Sequence, residues 1–244
     1  MQERKIVLFL VEGTSDIEAL EGCFEEIYEQ LNIEFKPLKC DITADENTTR
    51  NNIELLLTER IDDFIKKHSE INDKDILEVI QIVDMDGAGV APEKVKQSDI
   101  GKTYYTEEYI MAKDRNRLTA RNIRKRDILG LLREKDCIEK KGSDIENNYK
   151  LPYRIYYFSR NLEHALYNKL EEFTKEEKKE LAMNFADEYT ERPIEFIKLL
   201  TSPEIKVHGN YRETWKYIFL DSNSLHRGSN LHLIFEELPF TKEK

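Results

Sequence analysis

The sequence predicts an α/β fold, a parallel sheet with helices on both faces. Three observations carry that expectation. The runs Ile6-Val7-Leu8-Phe9-Leu10 and Val79-Ile80-Gln81-Ile82-Val83 are almost continuously apolar, as strands buried on both faces are. Segments with helical spacing of apolar residues alternate with such runs. Each of the two runs also stops at an acidic, glycine-bearing motif: Val11-Glu12-Gly13-Thr14-Ser15-Asp16 after the first and Asp84-Met85-Asp86-Gly87 after the second.

Residues 5–11 read as the first strand, bounded by Glu12-Gly13. A helix follows at once. Ser15 and Glu18 have capping-box spacing, and Ile17, Leu20, Phe24, Ile27 and Leu31 recur at intervals of three and four. Residues 33–38 form a short second strand, and 41–52 are polar and turn-like. Ile53, Leu56, Leu57, Ile61, Phe64 and Ile65 then mark a second amphipathic helix, with the next buried strand at 75–84. From Gly87 the rhythm lapses. Residues 90–150 are polar and basic, helical from about 110 to 133, and read as an insertion or lid between two sheet strands. The rhythm returns with a strand at 153–158 and a helix from about Asn161, whose apolar face is Leu162, Leu166, Leu170 and Phe173. The domain reading is therefore an α/β domain over 1–170 with its insertion at about 90–150. A mainly helical extension over 171–244, which carries the only tryptophan, Trp215, packs on it.

Of the 244 residues, 39% are hydrophobic and 36% charged, the balance of a soluble protein. No apolar run approaches the ~20 residues of a membrane-spanning helix, and the N-terminus has no signal-peptide pattern. Cys23, Cys40 and Cys137 are odd in number and lack metal-ligand spacing, so reduced thiols and a cytoplasmic location are expected. A net charge of −11 argues against a protein that coats nucleic acid non-specifically. Local charge decides a local grip, and residues 113–126 hold seven basic residues against one acidic.

Ligands of open α/β sheets bind beyond the carboxyl ends of the strands. Glu12 immediately follows one strand, and Gly13 permits a tight turn into the helix whose first turn holds Asp16, where a carboxylate is favoured. Asp84 and Asp86 lie two apart and project to one side if extended, while Gly87 and Gly89 allow close backbone approach. Carboxylates that converge repel one another unless a hard divalent cation sits among them. With no His or Cys nearby, Mg²⁺ or Mn²⁺ suits the donors better than Zn²⁺.

The order apolar strand, Glu-Gly, helix, apolar strand, Asp-x-Asp resembles the Toprim domain, most closely that of the OLD-type nucleases of phage defence and abortive infection. The resemblance covers roughly residues 4–170, and the basic insertion departs from it. It implies a Toprim-like (Rossmann-like) sheet and a Mg²⁺-dependent endonuclease cutting phosphodiester bonds of DNA or RNA, tRNA included. Glu12, Asp84 and Asp86 then take the catalytic and metal-binding positions, and Asp16 matches a further acidic position. Ser159-Arg160-Asn161-Leu162-Glu163 occupies the place of the small polar and acidic residues after the next strand, which offers Glu163 for a second ion. The alternatives are helix capping for Asp16 and a solvent-facing first-turn glutamate for Glu163.

On a helix, Arg117, Arg121, Arg124 and Lys125 share one side, and with Arg160 they are the expected nucleic-acid contacts. A solvated helix paired with glutamates explains the same pattern. Arg227, in the polar loop 222–230, offers a phosphate contact or ordinary loop chemistry. His164, His208, His226 and His232 show no ligand spacing. No Gly-x-x-x-x-Gly-Lys motif is present, whereas OLD-type nucleases usually work with an ATPase. A separate P-loop ATPase partner, with this chain as an effector it holds inactive, is therefore the second reading. The third is a haloacid-dehalogenase-like phosphatase built on Asp84-Met85-Asp86, which leaves Glu12-Gly13 unexplained and lacks a later paired-aspartate motif. No membrane partner is expected, and oligomeric state is left open.

Overall fold

The computed structural model describes residues 4–99, 101–141, 148–236 and 238. In chain order the first elements are β1 (Ile6–Val11), α1 (Thr14–Glu29), β2 (Glu34–Lys39), α2 (Ile53–Lys67) and β3 (Ile76–Asp84). Three short strands follow, β4 (Val95–Gln97), β5 (Tyr104–Tyr105) and β6 (Ile110–Ala112), then α3 (Arg115–Leu132), β7 (Cys137–Lys141) and β8 (Asn148–Phe158). The remainder is helical: α4 (Leu162–Tyr167), α5 (Lys175–Tyr189), α6 (Pro193–Thr201), α7 (Tyr211–Ile218) and α8 (His232–Glu236). Among the described residues no helix is long and apolar enough to cross a membrane.

The chain is thus α/β, with a five-stranded sheet in the order β2-β1-β3-β8-β7 and a separate three-stranded sheet in the order β4-β6-β5. β1 runs parallel to both β2 and β3, but β7 runs antiparallel to β8, so the sheet is mixed rather than wholly parallel. The reason is chain length. Only six residues separate β7 from β8, whereas a parallel pair needs a crossover of roughly a dozen or more.

The chain divides into two compact units that interleave in sequence. The first is Met1–Ile82, Asp127–Ile155 and Ala182–Pro193, and the second is Val83–Arg126, Tyr156–Leu181 and Ile194–Lys244.

In the first unit every residue of β1 is buried, as its unbroken apolar run requires. Leu20, Phe24, Ile27 and Tyr28 of α1 are buried as well. Phe9 stands 4.6 Å from both Phe24 and Phe35, ring centre to ring centre, so β1, α1 and β2 meet in one aromatic cluster. α2 buries Ile53, Leu57, Ile61 and Phe64. Its outer side takes part in charge pairing: Lys140 of β7, only 5% exposed, pairs with Asp62 at 2.6 Å and with Asp73. Tyr153 donates to Gln81 at 2.6 Å, joining two buried polar side chains of β8 and β3.

In the second unit α3 starts later than its basic pattern alone suggests. Residues 110–112 are strand, and Asp114 begins the helix, its carboxylate accepting the Arg117 N–H at 2.9 Å. α4 has six residues instead of continuing to Phe173, because Asn168 adopts a left-handed conformation and ends it. Leu170 and Phe173 therefore lie outside the helix. Trp215 of α7 is buried with its ring centre 4.9 Å from that of Tyr157, and Tyr157 donates to the Thr214 carbonyl at 2.9 Å. Gly89 packs where any Cβ would strike the Ile218 carbonyl, which accounts for glycine there.

Candidate functional site

In the first unit Glu12 directly follows β1 and is half-buried. The Thr43 hydroxyl donates to its Oε1, so one carboxylate oxygen is oriented by a fully buried threonine. Asp16 does what the first turn of a helix favours: its Oδ2 accepts the Gly13 N–H at 2.8 Å. The residue that begins α1 is therefore Gly13, two positions before the Ser15 of the expected capping box.

In the second unit Asp84 closes β3 and is half-buried. The chain then turns sharply. Asp86 has φ +47° and Gly87 φ +86°, a left-handed pair that costs a non-glycine residue free energy. Hydrogen bonds hold the turn in place: Met85 N–H donates to the Phe158 carbonyl at 3.0 Å and Asp86 N–H to the Arg160 carbonyl at 2.9 Å. Asp86 is consequently not in the extended geometry that would send its side chain the same way as that of Asp84.

The Asp86 carboxylate faces α3. Its Oδ2 accepts from the Arg121 guanidinium at 2.7 Å and the Lys125 ammonium at 2.9 Å. Lys125 has no solvent exposure and Asp86 keeps a quarter of its side-chain surface in water. Burial alone would raise the Asp86 carboxyl above its usual range, but Lys125 and then Arg121 outweigh burial and hold it below. Asp86 is thus the counterion of a buried lysine. Of the four residues expected on one side of α3, Arg121 and Lys125 turn to Asp86, Arg124 is half-buried and Arg117 is exposed.

Beyond Asp86 lies a cavity of about 200 Å³. Arg160 and Lys178 supply its cations, Asp86 and Glu172 its carboxylates, and Tyr105, Phe173 and Asn161 the rest of its lining. Arg160 is 2% exposed. Its guanidinium carbon sits 4.2 Å from the Tyr105 ring centre and its Nη1 donates to the Leu170 carbonyl, while its Nε has no partner. Glu163 is not solvent-facing: it is 2% exposed and pairs with Lys178 at 2.9 Å, leaving Oε2 buried without a hydrogen bond. Asn161 caps α4 by accepting the His164 N–H at 3.0 Å. Arg227 donates to the Ala165 and Leu166 carbonyls, both at 2.9 Å, and so closes the other end of that helix. Its loop role explains it.

Tyr105, Lys178 and Asn122 also belong to this region, and sequence patterning does not single them out. Tyr105 sits in a two-residue strand with no periodicity to expose it. Asn122 lies one position from Arg121 and is 3% exposed, with neither amide atom hydrogen-bonded. Only the alternation of Asn122 and Lys125 with Leu118 and Leu129 in a basic helix hinted that part of this face turns inward.

The donors named for a divalent ion are all carboxylates, which suits Mg²⁺ or Mn²⁺. Several are engaged, however: Asp16 by Gly13, Glu163 by Lys178 and Asp86 by two cations. Among the described residues no three His, Cys, Asp or Glu side chains stand together as a metal cage. Asp86 fits a metal only once Arg121 and Lys125 leave its oxygen. No protein-family model matches the chain, and neither the curated proteins nor the solved structures yield a match.

Proposed function

We propose that the chain is a Toprim-like nuclease that hydrolyses phosphodiester bonds of DNA or RNA with Mg²⁺ or Mn²⁺, as the effector of an antiviral, abortive-infection system. The observation that carries this reading is the strained turn at Asp86, which sets a strand-end carboxylate against Arg121 and Lys125 of the basic helix. A phosphate is the natural competitor for those two cations, since charge-assisted hydrogen bonds from arginine suit phosphate and carboxylate alike. As a substrate phosphate takes Arg121, whose side chain is 32% exposed, Asp86 loses one of its two counterions and becomes more available as an oxygen donor. By the Toprim resemblance, Glu12 and Asp16 of the first unit and Asp84, Asp86 and Glu163 of the second are the carboxylates that would serve as oxygen donors to the ion. When bound, the ion would activate water and stabilise the leaving oxygen. Arg117, Arg124 and Arg160 would grip the strand at neighbouring phosphates.

The engagement of Asp86 also favours the second reading, an effector held at rest until a separate P-loop ATPase partner acts, because the carboxylate is occupied in the isolated chain. Plasmid nicking and tRNA cleavage with Mg²⁺ or Mn²⁺ test the nuclease. Cleavage that EDTA stops and Glu12→Ala abolishes is expected; cleavage undiminished in Glu12→Ala would overturn the assignment.

A further inference from the structure

A buried charge without a partner is costly, so structures seldom keep one idle. Arg160 is such a group. Among the described residues no carboxylate lies within ion-pair distance of it, its side chain is almost wholly out of solvent, and its Nε makes no hydrogen bond. What holds it is the face of Tyr105 and one backbone carbonyl, from Leu170. Neither neutralises a full positive charge. The guanidinium lines the cavity that Lys178 also lines.

The carboxylates nearby do not cancel this. Asp86 is already balanced by Arg121 and Lys125, Glu163 is drawn to Lys178, and Glu172 is exposed to water. Glu172, which lines the same cavity, is the carboxylate left to face Arg160, and it does so from water, where its charge is screened. The accessible space of about 200 Å³ holds a tetrahedral oxyanion together with part of its substituent. Tyr105 and Phe173 offer apolar walls to the substituent, and Asn161 adds an amide.

We infer that this cavity is a binding site for a phosphate monoester, gripped by Arg160 and assisted by Lys178. The ligand is the terminal phosphate of a nucleic-acid strand or a free mononucleotide, which share that chemistry. The site stands whether or not the chain cuts phosphodiester bonds.

Calorimetric titration of the full chain with inorganic phosphate and with AMP, at constant ionic strength set by chloride, tests it. Saturable one-site binding is expected. It should weaken by at least about tenfold in Arg160→Gln and by a smaller factor in Arg160→Lys and Lys178→Gln, since charge-assisted bonds to the oxyanion are lost or misaligned. Failure of the wild-type chain to saturate would overturn the inference. So would wild-type affinity in Arg160→Gln. Should Arg160→Gln fail to fold, wild-type affinity in both Arg160→Lys and Lys178→Gln overturns it equally. Paired oligonucleotides with and without a 5′-phosphate separate the sources: tighter binding of the phosphorylated strand, lost with Arg160→Gln, assigns the site to strand ends. Equal binding of the two strands beside saturable AMP binding assigns it to free nucleotides.

Discussion

Asp86 carries the most information of any residue in the chain. A carboxylate crowded among other carboxylates is relieved when it is neutralised, so its replacement by asparagine stabilises the metal-free protein. Asp86 is in the opposite position, because Lys125 has no solvent exposure and shares its oxygen with Arg121. Asp86→Asn should therefore destabilise the chain by about 3 kcal/mol, the lower end for breaking a buried pair, because Asp86 retains some exposure. Asp86→Asn combined with Lys125→Met should recover most of that loss. Urea midpoints of the three proteins decide it, and a single variant as stable as wild type would contradict the pairing. The sequence made Asp86 and Lys125 visible as chemistry-bearing residues but not as partners. Helical spacing says which residues share a side, not which side turns inward, and a backbone turn with φ +47° at Asp86 leaves no trace in strand periodicity.

Among the elements, α1 and α3 show how local signals resolve. The buried strand, the Glu12-Gly13 break and the following helix were all legible, because continuous apolar runs and 3-4 spacing reflect burial directly. The start of α1 lies two residues before the one that the spacing of Ser15 and Glu18 indicates, since Gly13 has no side chain to announce a cap and Asp16 closes the turn from within the helix. Asp16→Ala should cost about 1 kcal/mol of stability, as loss of a first-turn carboxylate and its hydrogen bond does. Asp16→Asn should restore part of it. Thermal unfolding measures this directly, and an unchanged midpoint in Asp16→Ala would remove the capping role. The antiparallel β7–β8 pair and the short α4 were hidden for a different reason. Composition marks a strand or helix but not the direction of its neighbour, nor an asparagine that ends a helix left-handed.

For the molecule as a whole, pH and metal dependence are the informative variables. His232 is fully buried, and Glu236 stands 3.9 Å from its Nε2. Burial first, then Lys206, lowers its pKa from 6.5 to about 4 despite the opposing Glu236. Between these values the unfolded chain binds the proton and the folded chain does not, so stability rises with pH and is lost as pH falls from 6.5 towards 4. The slope contributed is at most about 1.4 kcal/mol per pH unit. His232→Gln should flatten the fall in urea midpoint between pH 6.5 and 5, and an unaltered slope would contradict it. Asp86, with its carboxyl held below the usual range, contributes stability that is lost only at lower pH, so the two windows are separable.

Whether the two acidic strand-end motifs serve phosphodiester hydrolysis is decided by a single cleavage assay. Supercoiled plasmid and tRNA are incubated with purified wild-type and Glu12→Ala chains, in Mg²⁺, in Mn²⁺ and in EDTA. Cleavage by wild type that requires the divalent ion and is lost in Glu12→Ala is expected. Equal cleavage by both chains, or cleavage that persists in EDTA, would contradict it.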